Sequence, residues 1–142
     1  MDEFSLLASL LLIEAKDTNS RFRDYLCSLP RHVPLPYYLS ADQVAASTHA
    51  SDTKYLTGIL SAGRVLIQTY SKTSKWLFDP HPGLFQPRPS FKQWQWAASI
   101  VMSRSWGVAV PNGTSLAFSG VSSMHILAPL ADMVNHNESS RK

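Results

Sequence analysis

The sequence predicts an α+β fold in which a mainly α-helical body is followed by a small β element. Apolar residues recur at helical spacing from the N-terminus to about residue 105, and after Gly107 the spacing changes to a period of two. With 142 residues, of which 44% are hydrophobic and 16% charged, the chain is long enough to enclose a core. We therefore expect one domain, or a large piece of one, rather than a disordered segment.

The first helix begins at Asp2 and Glu3, whose negative charges suit a helix N-terminus. Its predicted buried face consists of Leu6, Leu10 and Ile13 in one row, with Leu7 and Leu11 beside them. The apolar run from Phe4 to Ile13 is shorter than the roughly 20 residues that span a bilayer. We therefore expect a helix buried within the protein and no membrane partner.

Two shorter helices are expected next. The first runs from about Ser20 to Ser28 and brings four apolar residues to one side, namely Phe22, Tyr25, Leu26 and Leu29. Three prolines at 30, 34 and 36 then keep the chain extended. Ser40 and Gln43 form a capping box that starts the second helix, which ends near Ser47.

Two longer helices follow, separated by a loop over 79–89. The first is predicted from Ser51 to about Tyr70, with Tyr55, Leu56, Ile59, Leu60, Leu66 and Ile67 as its apolar residues. Gly58 and Gly63 weaken it by about 1 kcal/mol each relative to alanine. Ser90 caps the second, which ends near Ser105 and buries a stripe formed by Phe91, Trp94, Ala98 and Val101.

The β element occupies the last part of the chain. Val108 and Val110 alternate along a first strand, and Pro111-Asn-Gly113 signals a turn. Alternation resumes over 116–118, and a third short strand is predicted from Met124 to Leu127.

Charge and cysteine content exclude several classes of function. The net charge of +3 is small and scattered, so we expect no nucleic-acid partner. The single Cys27 excludes an internal disulfide and favours a reducing compartment. No Gly-x-Gly occurs, which excludes a dinucleotide fingerprint and a P-loop, and no histidines pair at zinc-ligand spacing. We expect no metal site.

Two sequence blocks point to a specific chemistry. In the run from His125 to His136, an apolar segment meets a proline and a turn then places Asp132, Asn135 and His136 close together. Alone, such a turn is more often an ordinary surface turn or helix cap. An upstream block, Trp94 to Trp106, ends in Ser-Arg-Ser-Trp. Together the blocks resemble SET-domain methyltransferases, in the branch typified by Rubisco large-subunit lysine methyltransferase.

The resemblance extends over most of the chain. Residues 11–30 are similar to the family's Leu-Leu-x-Glu … Tyr-Leu-x-x-Leu-Pro segment, and 36–40 to its Pro-x-x-Trp-Ser, with Leu39 in place of the tryptophan. It implies that residues 1–91 form the helical subdomain inserted in a SET domain and that 92–142 form a partial C-terminal SET segment. The family's Gly-rich opening loop and its tail beyond the Asn-His turn have no counterpart, so we expect a fragment.

The resemblance also implies roles for six residues. Arg104, Asn135 and His136 would hold S-adenosylmethionine, with the guanidinium fork of Arg104 on the methionine carboxylate. A lysine channel would be lined by Ser103, Trp106 and Asp132. Trp94 and Trp96 are expected in the core, whereas Trp106 is expected to be partly exposed. No catalytic residue is assigned, because in this family the tyrosine that orients the amine follows the turn, and every tyrosine here precedes it.

The resulting prediction is a fragment of a protein-lysine N-methyltransferase that uses S-adenosylmethionine and a protein substrate presenting a lysine. The alternative is a non-catalytic helical interaction module of the same lineage. We expect an intracellular protein of the cytoplasm or nucleus, or of the plastid if a transit segment precedes this sequence.

Overall fold

A computed structural model describes residues 2–33, 35, 38, 42–43, 46, 53–110 and 123–129. Several predictions fall outside these residues. They are the cap at Ser40, the turn at 111–113, the strand at 116–118, and the cluster of Asp132, Asn135 and His136.

The described residues include four α-helices with defined bounds and two strands, and residues 42–43 and 46 are also helical. The helices are α1 (Glu3–Lys16), α2 (Arg23–Ser28), α3 (Thr53–Thr73) and α4 (Phe91–Arg104), and the strands are β1 (Ser105–Ala109) and β2 (Ser123–Leu127). One π-helical turn, Ser74–Phe78, continues α3. The predicted α+β class, a mainly helical body with a small β element, is confirmed. Within the described part of the chain, no helix is long and apolar enough to cross a membrane.

Helix α1 starts where the sequence predicts, but its buried face overlaps the predicted one only in part. The carboxylate of Asp2 accepts a hydrogen bond from the Ser5 amide at 2.8 Å, which caps the helix. The prediction is wrong for Leu6 and Leu10, which are 49% and 51% exposed, whereas Ile13 packs partly buried against the core. The buried residues are Ser5, Ala8, Ser9, Leu11 and Leu12, and of the two leucines predicted beside the row, Leu11 is buried and Leu7 partly buried.

The reason for this difference lies in α4, against which α1 packs. The buried side of α4 includes three small residues, Ala97, Ala98 and Ser99. Small side chains on both helices allow close packing, since interiors leave few voids. The larger leucines at 6 and 10 are left outside this contact.

Helix α4 confirms the sequence prediction closely. Ser90 and Gln93 form a capping box, and the helix ends at Arg104. Trp94 and Val101 are 1% and 0% exposed, so the predicted stripe faces the core. The stripe meets α3 through the ring of Tyr70, whose centroid lies 6.4 Å from that of Trp94.

Helix α3 is longer than predicted at its C-terminal end, and only some of its predicted apolar residues are buried. Leu66 is buried, whereas Leu60 and Ile67 are 43% and 54% exposed. Among the described elements, α3 packs mainly on the following π turn and on α4. The described elements therefore cover only one strip of its surface.

Strands β1 and β2 pair antiparallel, with Ser105 opposite Leu127 and Gly107 opposite His125. Strand β1 follows α4 without a loop, so extended backbone begins earlier than the predicted change after Gly107. Because side chains alternate along a strand, Trp106 shares a face with Ile126, its partner on β2. The opposite face carries Leu127, which packs against the helical core.

Candidate functional site

The junction between α4 and β1 carries three of the predicted site residues. Ser103 is exposed, and its hydroxyl donates to the carbonyl oxygens of Ser99 at 2.8 Å and Ile100 at 3.3 Å. This bonding turns the hydroxyl back onto its own helix. Arg104, the last residue of α4, is half-buried. The C-terminal end of α4, which carries the negative end of the helix dipole, thus lies at this junction.

The three tryptophans of the upstream block have different environments. Trp94 is enclosed, as predicted. Trp96 packs partly buried against the core, and its Nε1 donates to the carbonyl of Pro30 at 2.9 Å. Trp106 is half-buried on β1. The partial exposure of Trp106 distinguishes it from a core residue, while its predicted neighbour Asp132 lies outside the described residues.

The strand register brings the two sequence blocks side by side. Ser105 follows the end of the first block's helix, and its partner Leu127 lies in the apolar lead-in of the second block. Asp132 comes five positions after Leu127, a stretch that reaches at most about 18 Å. The convergence of Arg104 with Asn135 and His136 stays a prediction, because both of the latter lie outside the described part.

A contact that the sequence analysis missed joins the two ends of the described chain. The carboxylate of Glu3 accepts a hydrogen bond from the His125 amide, and its other oxygen lies 3.0 Å from His125 Nδ1. These hydrogen bonds, the one from the imidazole first, lower the pKa of Glu3 below its usual value. Phe4 adds a ring contact with His125, with centroids 4.5 Å apart. The only sequence signal was the place of His125 at the head of the second block.

Beside this contact lies a groove of about 310 Å³ between α1, α2 and β2. Its walls are mostly apolar and are formed by Leu7, Leu10, Leu11, Phe22, Tyr25, Leu26 and residues 124–127, with Glu14 and Pro129. Glu14 accepts a hydrogen bond from the Ser20 hydroxyl at 2.5 Å. Among the residues that the structure describes, no group of histidine, cysteine and acidic side chains is arranged to hold a metal ion.

No family model matches the chain. Curated proteins do resemble it. An actin-histidine N-methyltransferase of Rhinolophus ferrumequinum is 28% identical over 133 residues, and that of Xenopus tropicalis is 27% identical over 134 residues. Each match covers 92% of this chain and 21% of the relative. The chain thus spans about a fifth of the length of these relatives.

A solved structure has the same fold. The crystal structure of the SET domain of LSMT bound to lysine and AdoHcy matches with a TM-score of 0.66 and 20% identity, over 92% of this chain and 26% of that one. The arrangement of helices and paired strands is therefore that of part of a SET domain. The resemblance to SET-domain methyltransferases predicted from the two sequence blocks is confirmed.

Proposed function

We propose that this chain, as part of a SET-domain methyltransferase, contributes to transfer of a methyl group from S-adenosylmethionine to a lysine amine of a protein substrate. The observation that carries the proposal is the pairing of β1 with β2. It sets the Ser103–Trp106 junction beside the strand that leads to the Asn-His turn. These are the two blocks on which the resemblance rests.

The residues at the junction suit the cofactor chemically. When bound, S-adenosylmethionine supplies a methyl group on a positively charged sulfonium. The guanidinium of Arg104 matches a carboxylate in a two-pronged geometry that lysine does not offer. The negative end of the α4 dipole favours a nearby cation. In this proposal Asn135 and His136 complete the cofactor contacts.

A lysine acceptor must lose its proton before transfer. Deprotonation at pH 7 of an amine with a pKa near 10.4 costs about 4.6 kcal/mol. A channel that excludes water and aligns the amine lowers that cost, since burial disfavours the charged form. We assign its walls to the ring of Trp106 and to the main chain at Ser103 and Asp132. The half-buried ring of Trp106 supports this assignment.

The curated relatives favour histidine as a second candidate acceptor, because they are actin-histidine N-methyltransferases. An imidazole with an ordinary pKa near 6.5 is already mostly neutral at pH 7. A site for histidine therefore needs alignment of the ring more than removal of a proton.

The cofactor assignment is tested by NMR titration of the 142-residue chain with AdoHcy up to millimolar concentration. We expect shifts confined to residues 103–106 and 132–136, including the indole N–H of Trp106. Arg104→Ala should weaken binding about tenfold, as expected for a lost charged hydrogen bond. Arg64→Ala, an exposed arginine on α3, is the matched control. No shifts at any concentration would contradict the proposal and favour the non-catalytic interaction module.

The acceptor is tested on the same sample saturated with AdoHcy. A peptide containing lysine, titrated at pH 9 to raise its neutral fraction, should shift the signals of Trp106 and Ser103. A matched peptide with histidine in place of lysine should leave them unchanged. The reverse pattern would overturn the lysine assignment in favour of histidine.

We further propose an intracellular location for the protein. Cys27, the single cysteine, is a free and exposed thiol, which suits a reducing compartment. Immunofluorescence that finds the protein only in the secretory pathway would contradict this.

A further inference from the structure

The N-terminus of α1 holds strand β2 along one edge. The main-chain amide and the imidazole Nδ1 of His125 both meet the carboxylate of Glu3. In an antiparallel pair, alternate residues turn their main-chain groups away from the partner strand. The His125 amide, bonded to Glu3, is such an outward group. Among the described residues, Glu3 therefore occupies part of the edge of β2 that does not face β1.

This contact links strand β2, part of a small sheet, to helix α1, which packs in the core. A two-stranded ribbon is marginally stable by itself and needs further packing. Helix α1, in contrast, is anchored in the core, where Ala8 is 0% exposed. Glu3 follows the N-cap Asp2 directly, so its backbone is fixed by the first turn of that helix. The tie can thus define where β2 lies relative to the helical core.

We propose that Glu3 is a positioning residue whose carboxylate fixes β2, and with it the paired strand β1, so that the Ser103–Trp106 junction is held in place for the cofactor. This inference rests on the proposed function. Glu3 acts through His125 and does not itself contact the cofactor or the substrate.

No other described acidic side chain near the groove is placed to replace Glu3. The carboxylate of Asp2 caps α1 through the Ser5 amide, and Glu14 accepts from the Ser20 hydroxyl. Opposite β2, strand β1 consists of Ser105–Ala109 and contains no ionisable side chain. The imidazole of His125 and the carboxylate of Glu3 are therefore the ionisable pair at this edge.

The test compares three variants of the full chain. Glu3→Ala removes the acceptor, Glu3→Gln keeps an oxygen acceptor without the charge, and Glu14→Gln is the control at the same residue type in the same helix. Amide exchange at His125, the imidazole tautomer from nitrogen chemical shifts, and AdoHcy titration are measured on each. The tautomer of the folded chain reports the partner of Nδ1, and the spectrum of each variant shows whether the chain is folded.

We expect Glu3→Ala to speed exchange at His125 by at least about tenfold, to abolish the preference for a proton on Nδ1, and to weaken AdoHcy binding about tenfold. Glu3→Gln should retain part of the slow exchange, and Glu14→Gln should match the unmodified chain.

Unchanged exchange and tautomer in Glu3→Ala would overturn the tie. Faster exchange with unchanged AdoHcy affinity would overturn the positioning role. If the unmodified chain does not bind AdoHcy at all, the proposed function fails and the positioning role fails with it. The exchange and tautomer data then still decide whether Glu3 holds β2.

Discussion

At the scale of single residues, Trp94 is the centre of the helical core. Its ring centroid lies 6.0 Å from that of Phe78 and 6.4 Å from that of Tyr70, and the side chain is 1% exposed. Its indole Nε1 is buried without a hydrogen-bond partner among the described residues. The ring thus stabilises the core by its area, while its donor reduces that gain.

Trp94→Ala should destabilise the fold by about 3–5 kcal/mol, because it leaves a cavity between α3 and α4. Trp94→Phe should cost less than half as much, because it keeps an aromatic ring and removes the unpaired donor. Trp76→Ala is the control, since Trp76 is 67% exposed. Urea unfolding measures all three. A Trp94→Phe chain as unstable as Trp94→Ala would show that the indole shape outweighs its unpaired donor.

At the scale of elements, the N-terminus of α1 makes stability depend on pH. Burial raises the pKa of Asp2, but the hydrogen bonds from Ser5, together with a bond from its own backbone and a nearby positive charge, outweigh burial, so that its pKa lies below the ordinary 3.8. The bonds from His125 lower the pKa of Glu3 below 4.5. For a lowered pKa, the stabilisation is fully present above the unfolded value and is lost as pH falls through the folded value.

Asp2→Asn should therefore lower stability at pH 7 and lose this effect in acid. Asparagine also caps helices, so the difference isolates the charge. Because Asp2 is exposed, we expect only a few tenths of a kcal/mol. Urea midpoints of both chains between pH 7 and pH 3 test this. If the two chains differed in urea midpoint by as much at pH 3 as at pH 7, the role of the carboxylate would be contradicted.

Helix α3 contains glycines that its geometry does not require. Among the residues that the structure describes, a methyl group added at Gly63 meets nothing within 4 Å. Gly63→Ala should therefore stabilise the fold by about 1 kcal/mol, which raises the melting temperature by roughly 2–4 °C. Gly83→Ala is the control, because Gly83 has the same open space but lies in a loop. A lower melting temperature for Gly63→Ala would contradict this.

At the scale of the whole molecule, element ends were more predictable than buried faces. The caps at Asp2 and Ser90 are local signals, and both helices begin where these residues predict. The N-terminal leucines lie on most sides of α1, so their periodicity alone did not identify which face is buried. The choice depends on the small residues of α4, which are distant in sequence.

One part of the candidate site could be predicted from the sequence and another could not. The junction at Ser103–Trp106 followed from a motif within one segment. The contact of Glu3 with His125 joins residues 122 positions apart. In the sequence, Glu3 is explained by its place at the start of a helix and His125 by its place in a strand. Only tertiary structure brings that pair together.

The 142 residues by themselves should bind S-adenosylmethionine only weakly. The chain corresponds to 26% of the solved SET-domain chain, and the resemblance assigns the cofactor site to two further segments, a Gly-rich loop and a tail with a tyrosine. Several hydrogen bonds of about 0.5–1.5 kcal/mol each would be missing, and each 1.4 kcal/mol weakens binding tenfold. We therefore expect a dissociation constant for S-adenosylmethionine of about 100 μM or weaker, at least a hundredfold above 1 μM. We also expect no methyl transfer. Calorimetric titration and a tritiated-methyl assay measure both, and micromolar binding with turnover would contradict the assignment of those segments to the site.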